Sequence, residues 1–275
     1  MLEFTLCNEL LAADGLTLAE QCEAARALGY VGLELAPGTL GTQPHRLDRE
    51  ERAAIRRTVE GAGLSVTGLH WLLPAYPDLS ITDPARLPET AQVLIALTGL
   101  CADLGGRVMV HGSPNQRVRP AGVGDRELQD RLAAFFAPIA AEAERRGVIY
   151  CIEPLALADT AVINTVADAA ALVDAVASPA FRTMIDISAA GRTEPPVADL
   201  IRHWAPGGKL AHIHANDSNR GAPGTGDNPF PEIVAALRDV DWPHPVGVEP
   251  FWTVIDGRVT AAIAAATLRA CAGSP

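Results

Sequence analysis

VIYCIE at residues 148–153 is an apolar run of strand length that ends in a single carboxylate. The pattern returns as RTMIDI at 182–187, LAHIHA at 210–215 and VGVEP at 246–250, each finishing in one or two titratable or metal-binding side chains. Working outward toward the N-terminus, similar runs lie at 2–7 (LEFTLC), 31–35 (VGLEL), 65–71 (SVTGLHW) and 107–111 (RVMVH), which makes eight. Helical patterns separate them. Thr17-Leu-Ala-Glu20 forms a capping box before EQCEAARALG, with Gly29 placed to end that helix, and Thr165-Val-Ala-Asp168 opens DAAALVDAV in the same way. GDRELQDRLAAFFAPIAAEAERRG reads as one long amphipathic helix ending at Gly147. Eight strands alternating with helices require parallel pairing through crossovers. The fold class expected is therefore α/β: a single-domain (β/α)8 TIM barrel over residues 1–275. A doubly wound sheet would carry a Gly-rich phosphate turn after the first strand, and Asn8-Glu9-Leu10 stands there instead. The long segments 72–86 and 112–126 suit lids or binding loops.

Composition narrows the function. The chain has 275 residues, 48% of them hydrophobic, and a formal net charge of -11. That balance lacks a basic nucleic-acid footprint and would be repelled by an anionic membrane surface. No apolar run approaches the ~18 residues of a membrane helix, and MLEFTLCNELL is a poor signal peptide because it carries Glu3 and Glu9 and has no basic start. The five cysteines, at 7, 22, 101, 151 and 271, include no CxxC pair. They read as reduced, buried thiols of a cytoplasmic protein. Lys209 is the only lysine among 22 basic residues, and it precedes the seventh strand, away from the site end, which argues against Schiff-base chemistry. No GxSxG elbow is present.

In a (β/α)8 barrel, polar residues at strand C-terminal ends face the active site. Here the ends carry Glu34, His70, His111, Glu153, Asp186, His212 with His214, and Glu249. Glu153, Asp186, His214 and Glu249 come from four successive strands, 33, 28 and 35 residues apart. Three carboxylates drawn together repel one another unless a cation lies between them. Three oxygen donors and one imidazole point to one divalent metal ion, Mn2+ or Mg2+ first, then Co2+ or Zn2+. The bland alternative is four unrelated strand-end residues in ordinary salt bridges. His212 and His214 share a face, and His214, nearer the strand end, is the expected ligand, with His212 deeper in the core. Arg220, in the loop that follows, offers a planar fork for a substrate hydroxyl or carboxylate. GAPGTGD at 221–227 fits no phosphate loop and reads as tight turning. His70 and His111 are expected at the site as substrate contacts or as ligands of a second metal. Arg117 and Arg119 are candidates for an anionic substrate.

Taken together, GLEL (32–35), GLHWLL (68–73), CADLGGRVMVHGSPNQR (101–117), IEPL (152–155), MIDIS (184–188), HIHANDSNRGAPGTGD (212–227) and VEPF (248–251) resemble the xylose-isomerase-like barrel proteins. The similarity is to their sugar isomerase/epimerase branch, and to the ketose 3-epimerases in particular. The resemblance implies that Glu153, Asp186, His214 and Glu249 hold the metal and that Glu153 and Glu249 also act as the acid–base pair flanking the substrate carbon. It implies further that Arg220 touches substrate, and that Asp159 stands where the family has a substrate-contacting glutamate. The family's substrate histidine falls on Ala189. The implied reaction removes an α-proton, passes through an enediolate, and returns the proton on the opposite face or to the neighbouring carbon. The implied partner is a small sugar or polyol, and relatives form homodimers or homotetramers. Within the same superfamily the alternative is a multi-zinc hydrolase of the endonuclease IV kind, or an inosose-type dehydratase, with His70, His111 and Asp227 as extra ligands. Ala189 and Pro229 stand where that nuclease set would need histidines. A non-enzymatic barrel would be expected to have lost its metal set.

Overall fold

The computed structural model describes residues 2–194 and 196–273. Eight parallel strands close into a barrel in sequence order: β1 (Phe4–Cys7), β2 (Gly32–Leu35), β3 (Ser65–Leu69), β4 (Val108–His111), β5 (Ile149–Ile152), β6 (Phe181–Asp186), β7 (Leu210–Ala215) and β8 (Val246–Val248). Around them run α1 (Glu9–Ala13), α2 (Leu18–Ala27), α3 (Arg49–Gly61), α4 (Leu87–Leu104), α5 (Asp125–Arg146), α6 (Val166–Val176), α7 (Ile187–Gly191), α8 (Val197–Trp204), α9 (Phe230–Asp239) and α10 (Gly257–Cys271). The (β/α)8 expectation is met.

Local signals explain the element ends. Thr17 and Thr165 both form reciprocal capping boxes, with Glu20 and Asp168 respectively. Gly147 caps α5 in the left-handed conformation, at φ +67°. Ring closure joins the two ends of the described chain. β1 pairs with β8 through Phe4–Val246, Thr5–Gly247 and Leu6–Val248. The Tyr30 hydroxyl donates to the Ala261 carbonyl at 2.8 Å, and Gly257 N–H donates to Asp14 Oδ2 at 2.6 Å.

Strand alternation sorts side chains between two apolar compartments. Val108, Val110, Cys151 and Met184 pack together inside the barrel. Met109, Tyr150, Phe181 and Ile185 point outward and meet the helices in the main core. Among the described residues, α4 is the one helix long and apolar enough to cross a membrane by length and composition, contrary to the expectation that no run comes near. Its apolar face is already used: Val93, Leu94, Leu97, Leu100, Cys101 and Leu104 are buried, and the helix lies against α3, α5, β3 and β4.

Two long loops at the C-terminal mouth are tied to each other. Leu73 N–H donates to Ser113 Oγ at 3.1 Å, Ile81 N–H to the Gln116 carbonyl at 2.8 Å, and the Thr82 hydroxyl to the Val118 carbonyl at 2.7 Å. They form a fixed wall above β3 and β4 rather than loose flaps.

Candidate metal and substrate site

The C-terminal ends of β5 to β8 converge. Asp186 ends β6 beside His214 of β7, its register partner. Glu153 and Glu249 each follow the last paired residue of their strands, with their N–H groups bonded to the carbonyls of His111 and Ala215. Asp186, His214 and Glu249 each offer a donor atom within 4.8 Å of the others. Glu153 stands beside them, close enough that Glu249 and Asp186 both oppose its ionisation.

Supporting contacts fix these side chains. Asp186 Oδ1 accepts from Ala189 N–H at 2.7 Å and Oδ2 from the Asn216 carboxamide at 2.5 Å. Asn216 also donates to the Glu249 carbonyl at 3.2 Å and accepts from Ser188 N–H at 2.8 Å, so one side chain links β6, β7 and β8. Glu34, on β2 across the barrel, is fully buried and takes His212 Nε2 on one oxygen and His214 Nε2 on the other, both at 2.9 Å. A carboxylate on Nε2 fixes the proton there and leaves the Nδ1 lone pair free. His214 Nδ1 is indeed buried without a hydrogen-bond partner, and it lies 2.9 Å from Glu249 Oε2, itself unpartnered. These orphaned donors fit a metal ion. Three other donor groups lie deeper or beside it, Cys7–Glu34–His70, Glu34–His212–His214 and Glu9–His70–Glu249; in the last two the imidazole Nε2 atoms are already bonded to Glu34 and Glu9.

The carboxylates crowd one another, and His214 partly offsets them: burial works to lower it, but Glu249 and Glu34 outweigh burial and hold it well above its ordinary value. Burial first, and then Glu249 and Asp186, push the Glu153 carboxyl well above the usual carboxylate range. Burial and Glu249 raise Asp186 to about 6. Burial also works to raise Glu34, but His212 and His214 outweigh it and hold Glu34 well below its ordinary value.

Two glycines make room for the group. A Cβ on Gly247 would stand 2.7 Å from His214 Cδ2 and 3.0 Å from Glu34 Oε2. A Cβ on Gly112 would stand 1.6 Å from Glu153 Oε2, so the carboxylate occupies the space a side chain would take. Gly112→Ala is expected to displace Glu153 and cut activity about 10²-fold or more, the cost of an ångström-scale misplacement. Steady-state rates measured beside the thermal midpoint would check this; full activity in a folded variant would refute it.

The cavity above the group has a volume of about 400 Å3, and its lining includes Trp71, Glu153, Asp159, Arg220, Glu249 and Phe251. Arg220, at φ +64°, lays its guanidinium over the Phe251 ring at 4.3 Å and reaches Asp159 Oδ1 at 3.4 Å. Arg192 holds the other Asp159 oxygen at 3.1 Å. Phe251 N–H donates to the Arg220 carbonyl at 2.8 Å, and Trp252 Nε1 donates to the Asn219 carbonyl at 3.0 Å. Backbone and ring contacts thus fix Arg220 over the mouth. Another cavity, of about 300 Å3 between α5 and α6, holds none of the strand-end donors.

Two expected substrate contacts are not brought into this cavity. His111 follows Val110, which points inward, so His111 points out, against Phe136 of α5 and with Nδ1 2.6 Å from the Tyr150 hydroxyl. Burial and the nearby Arg117 lower it to about 3. His70 does reach the donor group, 3.8 Å from Glu249 Oε1, but it does not line the cavity. Arg117 is fully buried, and none of its guanidinium nitrogens has a hydrogen-bond partner among the described residues; Arg119 pairs with Asp125 at the surface. Asp227 is exposed and joins no donor group among the described residues. Asn216, Trp71 and Phe251 are site residues that the strand-end rule does not select; Glu34, which it does select, acts through His212 and His214. Trp71 and Phe251 sit inside GLHWLL and VEPF, the signal that would have found them.

This chain belongs to the xylose isomerase-like TIM barrel family, whose family model matches residues 22–271. It is 37% identical to the D-psicose 3-epimerase of Agrobacterium fabrum over 105 residues, 38% of this chain and 36% of that protein. It is 29% identical to a putative hydroxypyruvate isomerase of Streptomyces coelicolor over 252 residues, 85% of each. The matched regions span 36% to 62% of the length of the curated 3-epimerase relatives. In three dimensions the fold resembles the D-psicose 3-epimerase of Clostridium cellulolyticum H10, with a TM-score of 0.80 at 20% identity, covering 94% of this chain and 93% of that one. The resemblance read from the sequence motifs is borne out at the level of family and fold.

Proposed function

We propose that the chain is a metal-dependent sugar epimerase or isomerase that moves a proton on a ketose or related polyhydroxy carbonyl compound. The observation that carries this reading is the unpartnered His214 Nδ1, held toward Glu249 and Asp186 by the Glu34 carboxylate on its other nitrogen. Glu153, Asp186, His214 and Glu249 would hold one divalent ion, with Mn2+ or Mg2+ suited to the oxygen-rich donor set. When bound, such an ion supplies polarisation of a substrate carbonyl and its neighbouring hydroxyl.

The chain's own residues supply the rest. Glu153 and Glu249 lie on non-adjacent strand ends and both border the cavity. One takes the α-proton and the other returns one, which inverts the carbon. Return to the adjacent carbon from the same deprotonated substrate gives isomerisation instead. Arg220 and Asp159 bind substrate hydroxyls, Asp159 being oriented between Arg192 and Arg220. The multi-zinc alternative loses support, because His111 faces away and Asp227 is exposed.

Metal content per chain and incorporation of solvent deuterium into a ketose panel test the proposal together. Close to one Mn, Mg or Co per chain, with deuterium at one product carbon, is the expected result. Two or three zinc ions per chain, or product free of deuterium, would overturn it. Arg220→Ala is expected to raise KM about 10–100-fold, as loss of a charged hydrogen-bond donor does, with metal content unchanged. An unaltered KM would remove Arg220 from substrate binding.

A further inference from the structure

The cavity divides by chemistry. Glu153, Glu249, Asp159 and Arg220 come from β5, β7 and β8 and the loops after them, while Trp71, Pro74 and Pro77, in the segment after β3, make an apolar wall of the same cavity. Trp71 leaves 43% of its surface exposed within this concave mouth, although large aromatic rings are ordinarily mostly buried. Its backbone sits at φ +48°, a conformation that L side chains adopt at a cost. Strain of that kind persists where the surrounding structure demands it, and it gathers at ligand-binding positions. The wall is built rather than incidental, since three hydrogen bonds lock the 72–82 segment to the 113–118 segment. Asn115 lines the same cavity and makes no side-chain hydrogen bond among the described residues, which leaves a carboxamide free for ligand hydroxyls.

Besides the carboxylates and Arg220, the roughly 400 Å3 cavity carries an apolar stretch of lining with Trp71 still largely exposed. We infer that the substrate is a keto-sugar extended by a second ring, and that Trp71, Pro74 and Asn115 form an outer subsite for that ring. The C–H face of a pyranose is apolar and flat enough to lie on an indole, while its rim of hydroxyls suits a carboxamide. The extension lies away from the reacting carbons, which must reach Glu153 and Glu249. Substituents on carbon 4 or 6 of a ketohexose meet that requirement and leave carbons 1 to 3 free.

This inference rests on the proposed proton-transfer reading, and one experiment separates the two. Solvent-deuterium exchange would be followed on D-fructose, on its 6-O-glucosyl derivative and on its 4-O-glucosyl derivative, with metal-loaded protein and with Trp71→Ala. At least one disaccharide is expected to exceed fructose in kcat/KM by about tenfold, the scale of one well-placed aromatic contact. Trp71→Ala is expected to lower the disaccharide value about tenfold more than the fructose value, and Trp71→Phe to recover most of the difference. Exchange on fructose with no advantage for either disaccharide would overturn the outer subsite and leave the proton-transfer reading standing. Equal losses on all three sugars in Trp71→Ala would also overturn it. No exchange on any of the three would overturn the reading of the site, and the outer subsite with it.

Discussion

Glu153→Gln and Glu249→Gln should each lower turnover by about 10³–10⁴-fold, toward the upper end of what a positioned general acid or base contributes. Glutamine keeps the shape and loses the ability to take a proton, so the packing around Gly112 and His214 survives. The two variants are not equivalent. Glu249 is part of the tight donor group with Asp186 and His214, and its replacement should lower metal occupancy as well as rate. Glu153 lies beside that group, so Glu153→Gln should retain more metal for the same loss of turnover. Measuring metal content and solvent-deuterium exchange on the same preparations separates the effects. A metal-loaded Glu153→Gln protein exchanging deuterium near the wild-type rate would remove Glu153 from proton transfer.

Glu34→Ala should be the most damaging substitution that touches no substrate. Glu34 is fully buried and accepts from two imidazoles on one face of β7. Its removal leaves both unpaired in the barrel interior, an expected cost of about 3–5 kcal/mol by analogy with broken buried ion pairs. It also frees His214 to change tautomer and turn, which for a carboxylate supporting a metal-binding histidine costs about 10–100-fold in metal affinity. Chemical denaturation and metal titration of the same protein give both numbers. Unchanged values would show that Glu34 merely fills space.

The strands were legible because a barrel strand is buried on both faces and reads as a near-continuous apolar run. VIYCIE and LAHIHA need no partner to be recognised. The ligand candidates were legible for a related reason: a carboxylate or imidazole closing such a run has few other roles. The rule that strand ends face the site failed at His111, because it ignores alternation. Val110 takes the inward position, and the next residue must turn out. Glu34 ends the second strand in the sequence, yet its partners lie 178 and 180 residues away, a relation no local pattern encodes. The apolar stretch of α4 was underrated because Glu89 and Asp103 interrupt it only near its ends. Arg117 reads as a loop arginine and turns out fully buried, with Glu153, Tyr150 and Asp159 as its titratable neighbours, residues far from it in sequence.

The pairing of β1 with β8 bears on when this protein becomes a protein. The register of the first strand is completed by Val246, Gly247 and Val248, and Tyr30 and Asp14 find their partners in the last helix. The residues through β8 must therefore all be synthesised before the ring can shut. Contacts so distant along the chain are slow to form, because loop-closure entropy is spent before they repay it. Until then the edges of β1 and of the growing sheet stay open, in a state prone to aggregation and suited to chaperone capture. Glu249, which follows β8 directly, joins Asp186 and His214 only when the ring shuts, so the donor group proposed to hold a metal is complete only in the closed barrel.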